Sequence, residues 1–189
     1  MFSFPDPPAL HDATVALRLA AERDIPETLI AHQDDPRLAG ALGLGRPPSG
    51  AELGRRSESA ADERAAGREL TLTVLAARGS DECLGQIDVH DVDPDAGRAA
   101  LTIWIVPRRR RQGLGSAALA LAGRWLIESA GLQRLQMLAD PADPAIRGAA
   151  LKAGFRSEGV LRGYRPGPGR PGRADLEVLA LVAGDLERA

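Results

Sequence analysis

From Ile103 to Ala117 the chain reads Ile-Trp-Ile-Val-Pro-Arg-Arg-Arg-Arg-Gln-Gly-Leu-Gly-Ser-Ala. An apolar strand ends, a basic run follows, two glycines stand two residues apart, and a long helical pattern begins. The first turn of a helix offers N–H groups without intrahelical partners and a partial positive charge. Glycine there lets the backbone approach a phosphate and adopt unusual dihedrals. Several such amides together make an anion cradle. Each hydrogen bond to a charged oxygen contributes about 1.5–3 kcal/mol, so a diphosphate would suit the segment. The bland alternative is that Arg108 to Arg111 is a solvated turn with ordinary loop glycines.

Groups able to move a proton are few. Tyr164 is the only tyrosine, and a phenol can donate a proton to a leaving group. Asp88 and His90 fall on one face of a strand, where either can relay a proton. A merely solvated polar face is the alternative. Cys83 is the only cysteine; no internal disulfide is possible, and with no histidine near it in sequence it reads as packing. His11 and His32 have no partner that the sequence identifies. No His/Cys spacing fits a metal, so none is expected.

Elements that must position these groups follow from periodicity. Strands are predicted at Val15 to Leu19, Leu70 to Ala77, Cys83 to His90, Ala99 to Val106, Leu132 to Leu138, Phe155 to Leu161 and Leu176 to Val182. A helix with Pro26 in its first turn and Asp24 as N-cap follows the first strand. An exposed helix runs from Glu52 to Ala66 and closes at Gly67. Leu114, Ala117, Ala118, Leu121, Ala122 and Trp125 have the spacing of a helix over Gly113 to Glu128. A short helix over Pro144 to Ala153 has Asp143 as N-cap and Gly154 beyond its end. Pro166 to Gly172 reads as a flexible loop. Three successive strands joined by tight turns imply antiparallel hairpins, and the later β-α-β piece implies a parallel pair. The fold class is α/β: a single domain with a mixed, mostly antiparallel sheet flanked by helices. Residues 1–12 are expected to be a loose leader and residues 13–189 the domain.

Bulk properties narrow the partners. The 189 residues carry a formal net charge of −2, with 44% hydrophobic and 26% charged residues. A chain of this size can bury a core without staples. No global basic field draws it to nucleic acid or to an anionic membrane. No apolar run of about 18 residues suggests a span, and the start lacks the basic region of a signal peptide. A cytoplasmic location is expected, and a homodimer is open.

The spacing Arg110-x-x-Gly113-x-Gly115 resembles the signature of the GNAT superfamily of N-acetyltransferases. Gly85-Gln86-Ile87, Ala153-Gly154-Phe155 and the ending Leu181-Val182-Ala183-Gly184-Asp185 sit where that superfamily has counterparts. The run from Gly154-Phe155 to Gly159-Val160-Leu161-Arg162-Gly163-Tyr164 is similar to the Rim-type ribosomal-protein N-terminal acetyltransferases. The resemblance covers about residues 15–185 and implies a GNAT-like acyl-CoA N-acyltransferase fold. It further implies acetyl-CoA as co-substrate and an amine-bearing acceptor, either a peptide N-terminus or a small molecule. The main chain of Ile105 and Val106 would pair with the pantetheine arm. The amides of Arg110, Arg111, Gln112, Gly113, Leu114, Gly115 and Ser116 would hold the pyrophosphate, and arginine side chains would reach the 3′-phosphate. Tyr164 falls where some members have a proton donor. One departure is clear: where the family often has Asn and, three residues on, Ser, this chain has Asp143 and Ile146. Two rivals stay open. Gly113-x-Gly115-x-x-Ala118 with Asp140 also matches a nicotinamide-dinucleotide fingerprint. The same fold could also bind acyl-CoA without catalysis.

Overall fold

In the computed structural model, which describes residues 2–7, 9–79, 81–167 and 172–186, the apolar runs become strands of one sheet. In chain order the elements are β1 (Leu10–His11), β2 (Val15–Leu19), α1 (Ile25–Asp34), α2 (Leu38–Ala41), α3 (Gly50–Ala65), β3 (Leu70–Ala76), β4 (Gly85–Asp93), β5 (Arg98–Ile105), α4 (Leu114–Glu128), β6 (Arg134–Ala139), α5 (Pro144–Lys152), β7 (Arg156–Pro166), β8 (Arg173–Val182) and α6 (Ala183–Leu186). The strand order is β1-β2-β3-β4-β5-β6-β8-β7. Every neighbouring pair is antiparallel except β5–β6, which α4 connects in parallel.

Alternation along the strands sorts side chains between two faces. Leu72, Ile87 and Ile103 stand in register and are buried on the face that α4 and α5 cover. That packing is close: a Cβ on Gly123 of α4 would come 2.8 Å from Leu181 Cδ2. The opposite face is polar. There Arg18, Thr73, Gln86 and Asp88 meet α1, α3 and the turn before α1 through hydrogen bonds, and Thr71 donates to Asp88 within the sheet. Among the described residues no helix is long and apolar enough to cross a membrane.

Several expectations change. Asp24 does not cap α1: its backbone is helical and its side chain makes no cap bond. Its buried carboxylate instead accepts from Arg18 Nη2 at 2.7 Å, Arg18 Nη1 at 2.8 Å, Thr73 Oγ1 at 2.7 Å and the Ala21 amide at 3.0 Å. Burial alone would raise the Asp24 carboxyl, but these donors hold it below the ordinary carboxylate range. The start of the chain is not loose. Phe4 is 3% exposed, its amide donates to Arg64 O, and Leu10–His11 pairs with β2. Strand β7 runs past the expected Leu161 to Pro166, so Tyr164 lies within it. Of the loop expected over Pro166 to Gly172, residues 168–171 lie outside the described residues.

Candidate active site

The loop leaving β5 is set by proline and by two left-handed residues. Pro107 opens a single 3-10 turn over Pro107–Arg109, closed by the Arg109 amide on Val106 O at 2.9 Å. Arg110 is extended, Arg111 has φ 64° and Gly113 has φ 82°. A left-handed arginine is disfavoured by about 1–3 kcal/mol and persists only where its surroundings hold it. The result turns successive amides toward one concavity at the start of α4. Among the described residues, no acceptor engages the amides of Arg111, Gln112, Gly113, Leu114, Gly115 and Ser116. A Cβ built on Gly113 meets nothing within 4 Å, so open space lies beside these donors. The Ser116 hydroxyl donates to Gly113 O at 2.9 Å and tightens the first turn. Unpaired amides, a helix start and free space together fit a diphosphate.

Beside the loop the sheet opens. Pairing between β5 and β6 ends at Ala100↔Gln136, although β5 continues to Ile105 and β6 to Ala139. The β4–β5 register and the Val106 amide bond to Leu84 O show which way the β5 main chain faces. Trp104 and Thr102 point their N–H and C=O groups at β4; Ile103 points both of its groups into the gap, as does the Ile105 amide, while the Ile105 carbonyl accepts from Arg110 Nε at 2.9 Å. This corrects the expectation for Val106: its amide is committed to Leu84 O at 2.9 Å, and its carbonyl accepts from Arg109. The Ile105 amide faces the wedge, and the main chain of Ile103 joins it.

Arg110 also departs from expectation. Its amide reaches Pro107 O at 3.3 Å, so the free amides begin at Arg111. Its side chain turns away from the cradle, with Nε donating to Ile105 O at 2.9 Å and Nη1 to Asp35 Oδ2 at 2.7 Å. Arg108 bridges Glu27 at 2.7 Å and Glu82 at 2.8 Å. Arg109 Nε donates to Gln112 Oε1 at 3.0 Å. Leu114 puts its side chain in the core, and a Cβ built on Gly115 would lie 3.7 Å from both Ile105 and Ala149. Asp143 caps α5 as expected, accepting from the Ala145 amide at 2.9 Å.

The proton-transfer candidates lie on the polar face and on the last hairpin. Asp88 accepts from Arg56 Nη2 at 2.8 Å and Thr71 Oγ1 at 2.7 Å. Both contacts fall on Oδ1 and fasten α3 to the sheet, so the residue expected as a relay also has a structural part. His90 pairs across the sheet with Ala100, where the β5–β6 ladder stops. It is one-third exposed, with Nδ1 3.1 Å from Asp91 Oδ2. Tyr164 is half exposed on edge strand β7, and its carbonyl accepts from Arg173 Nη2 at 2.8 Å. The next residue, Arg165, lies 3.4 Å from where a Cβ on Gly43 would sit, so this end of the hairpin meets the end of α2. A small cavity of about 60 Å³ lies between α1 and α3, lined by Thr28, Arg56, Ser57, Thr71 and Gln86 among others. Burial pushes the Cys83 thiol up to about 12, so it is no nucleophile near neutral pH.

Known proteins match this geometry. Residues 14–156 fit the family described as the acetyltransferase (GNAT) domain. A Bacillus subtilis protein described as the uncharacterized N-acetyltransferase YoaA is 30% identical over 108 residues, 57% of this chain. The match spans 60% of that relative's length. Among solved structures, Mycobacterium smegmatis RimJ in complex with CoA-disulfide has a TM-score of 0.73 at 20% identity, covering 91% of this chain and 83% of that one. A Salmonella typhimurium acetyl transferase described as modifying the N-terminal serine of ribosomal protein L7/L12 has a TM-score of 0.74 at 16% identity, covering 90% and 96%. At these identities the two structures speak for the fold. The family match spans well over half of the 189 residues, and so the chain belongs to the GNAT acetyltransferases, a family that uses acetyl-CoA.

Proposed function

We propose that the chain is an N-acetyltransferase that moves an acetyl group from acetyl-CoA directly to a primary amine, a peptide N-terminus or a small molecule. The observation that carries this reading is the row of unpaired amides from Arg111 to Ser116 opening beside the β5–β6 wedge. Acetyl-CoA brings an activated thioester. The chain supplies the rest: amides for the diphosphate, the inward main chain of Ile103 and the Ile105 amide for the arm, and a polar face for the acceptor.

In direct transfer the amine nitrogen forms a bond to the carbonyl carbon and the carbon–sulfur bond breaks. His90, opposite the point where the wedge begins, is placed to take the amine's proton through water. Tyr164 is the candidate to protonate the leaving thiolate. An α-amine with a pKa of about 7.7–8.0 is roughly one-tenth neutral at pH 7, whereas a lysine amine near about 10.4 is neutral well under 0.1% of the time. The α-amine, with its lower pKa, is therefore the acceptor that asks least of the polar face. The Salmonella typhimurium protein, described as modifying an N-terminal serine, agrees with that preference.

Thiol release from acetyl-CoA in the presence of peptides and small amines tests the reading, and release stimulated by at least one acceptor is expected. Tight CoA binding with no release for any acceptor would support the second reading, a CoA-binding module without turnover, which the use of Asp88 Oδ1 to tie α3 to the sheet favours. The dinucleotide reading fails on the fold. Residues 106–112 separate β5 from the first glycine, and the sheet has one parallel pair where a doubly wound sheet needs several.

A further inference from the structure

Two arginines of the basic run grip the two ends of α1. Arg108 reaches Glu27 in its first turn, and Arg110 reaches Asp35, the residue after its last. The grips differ in what else they hold. Arg108 spends its other contact on half-exposed Glu82 at the rim. Arg110 joins three places at once: the last carbonyl of β5, the bend that opens the cradle, and the end of α1.

Asp35 is well placed to set that guanidinium. Its side chain is 16% exposed. Its Oδ1 accepts from the Arg37 amide at 3.1 Å, and its own amide donates to Ala31 O at 3.0 Å. Burial works to raise its carboxyl, but the Arg110 hydrogen bond and the Arg37 amide outweigh it, leaving the group ionised at neutral pH. Arg110 is also where the chain passes from extended backbone into left-handed Arg111. The direction of every amide after it depends on that bend.

We propose that Asp35 is a positioning residue for the diphosphate cradle. Through Arg110 it fixes the bend from which the amides of Arg111 to Ser116 fan out, and it does so without touching the ligand. The inference rests on the coenzyme reading above.

Calorimetric titration of the full chain with CoA, with ADP and with pantetheine tests it. Asp35→Asn should weaken CoA and ADP by about tenfold, the size of one lost charge-assisted hydrogen bond at a partly exposed site. Pantetheine, which lacks the diphosphate, should change by less than about twofold on the same scale. Asp35→Glu should recover most of the loss. In an Arg110→Gln chain, Asp35→Asn should add nothing further. Unchanged CoA affinity in Asp35→Asn would overturn the proposal. Equal losses for ADP and pantetheine would overturn it too, since they indicate general loosening, and so would additive losses in the double variant. If Asp35→Asn does not fold, Arg110→Gln alone must show the ADP-selective loss, or the proposal falls. A wild-type chain that binds none of the three ligands defeats the coenzyme reading itself, before any variant is compared.

Discussion

Helices α4 and α3 are nearly equal in length and opposite in character. Eight residues of α4 are buried, from Leu114 to Ile127, while α3 buries none. The cradle therefore stands on a helix locked into the core, and interiors packed this closely hold position. The wall of the polar face rests instead on side-chain pairs such as Arg56–Asp88, and partly exposed pairs contribute only about 0–1 kcal/mol each. Geometry fixed by the core suits a donor site that must bind one diphosphate. A wall held by polar contacts can change its lining without cost to the core.

The largest effect should come from breaking the rigid half. Gly113→Glu places bulk and charge in the open space beside the free amides and forces a non-glycine residue to φ 82°. CoA affinity should fall at least about a thousandfold, the sum of two to three lost charge-assisted hydrogen bonds. The circular dichroism spectrum should stay native. Unchanged affinity would show that the amides do not hold the ligand.

Next in size is a break beneath the polar half. Asp24→Ala removes the buried partner of Arg18 and strands Thr73, and should cost about 3 kcal/mol in urea unfolding. Because the folded carboxyl is held below its unfolded value, this contribution is present above about pH 4 and lost as pH falls through the folded value. The wild-type advantage over Asp24→Ala should therefore shrink in acid; a constant difference from pH 7 to pH 3 would contradict the assignment. Tyr164→Phe sharpens the contrast from the acceptor side. Turnover should fall by about a hundredfold with CoA affinity unchanged, as for loss of one general acid. Full turnover would remove Tyr164 from the mechanism.

The two halves were not equally legible in sequence. Gly113, Gly115 and the apolar spacing of α4 are local signals, and they located the loop and helix directly. The wedge depends on register between β5 and β6, which no local period encodes, and Val106 was misjudged for that reason. Asp88 looked like a free relay because its partner Arg56 lies 32 residues away. Arg110 and Asp35 are 75 residues apart, so nothing in the signature announced that its arginine faces inward. The end of β7 was missed because the strand is exposed along nearly its whole length and carries no buried-face alternation. Phe4 reads as part of a loose leader because the prolines around it obscure an apolar residue that packs by α3.

The smallest expected effect probes the joint between the halves. His32 on α1 is 6% exposed, and its Nδ1 has no hydrogen-bond partner among the described residues. Burial lowers its pKa, with Asp35 opposing. The unfolded chain therefore takes up this proton near pH 6.5, before the folded one does. Protonation favours unfolding, so stability is full above about pH 6.5 and declines as pH drops below it. His32→Gln should flatten that part of the pH–stability curve while leaving the level at pH 7.5 within about 1 kcal/mol of wild type. Urea midpoints from pH 7.5 to 5.5 read the difference. If the slope survives in His32→Gln, the α1 end that carries Asp35 is not the acid-sensitive part of the molecule, and the decline must be sought among the carboxylates of the polar face.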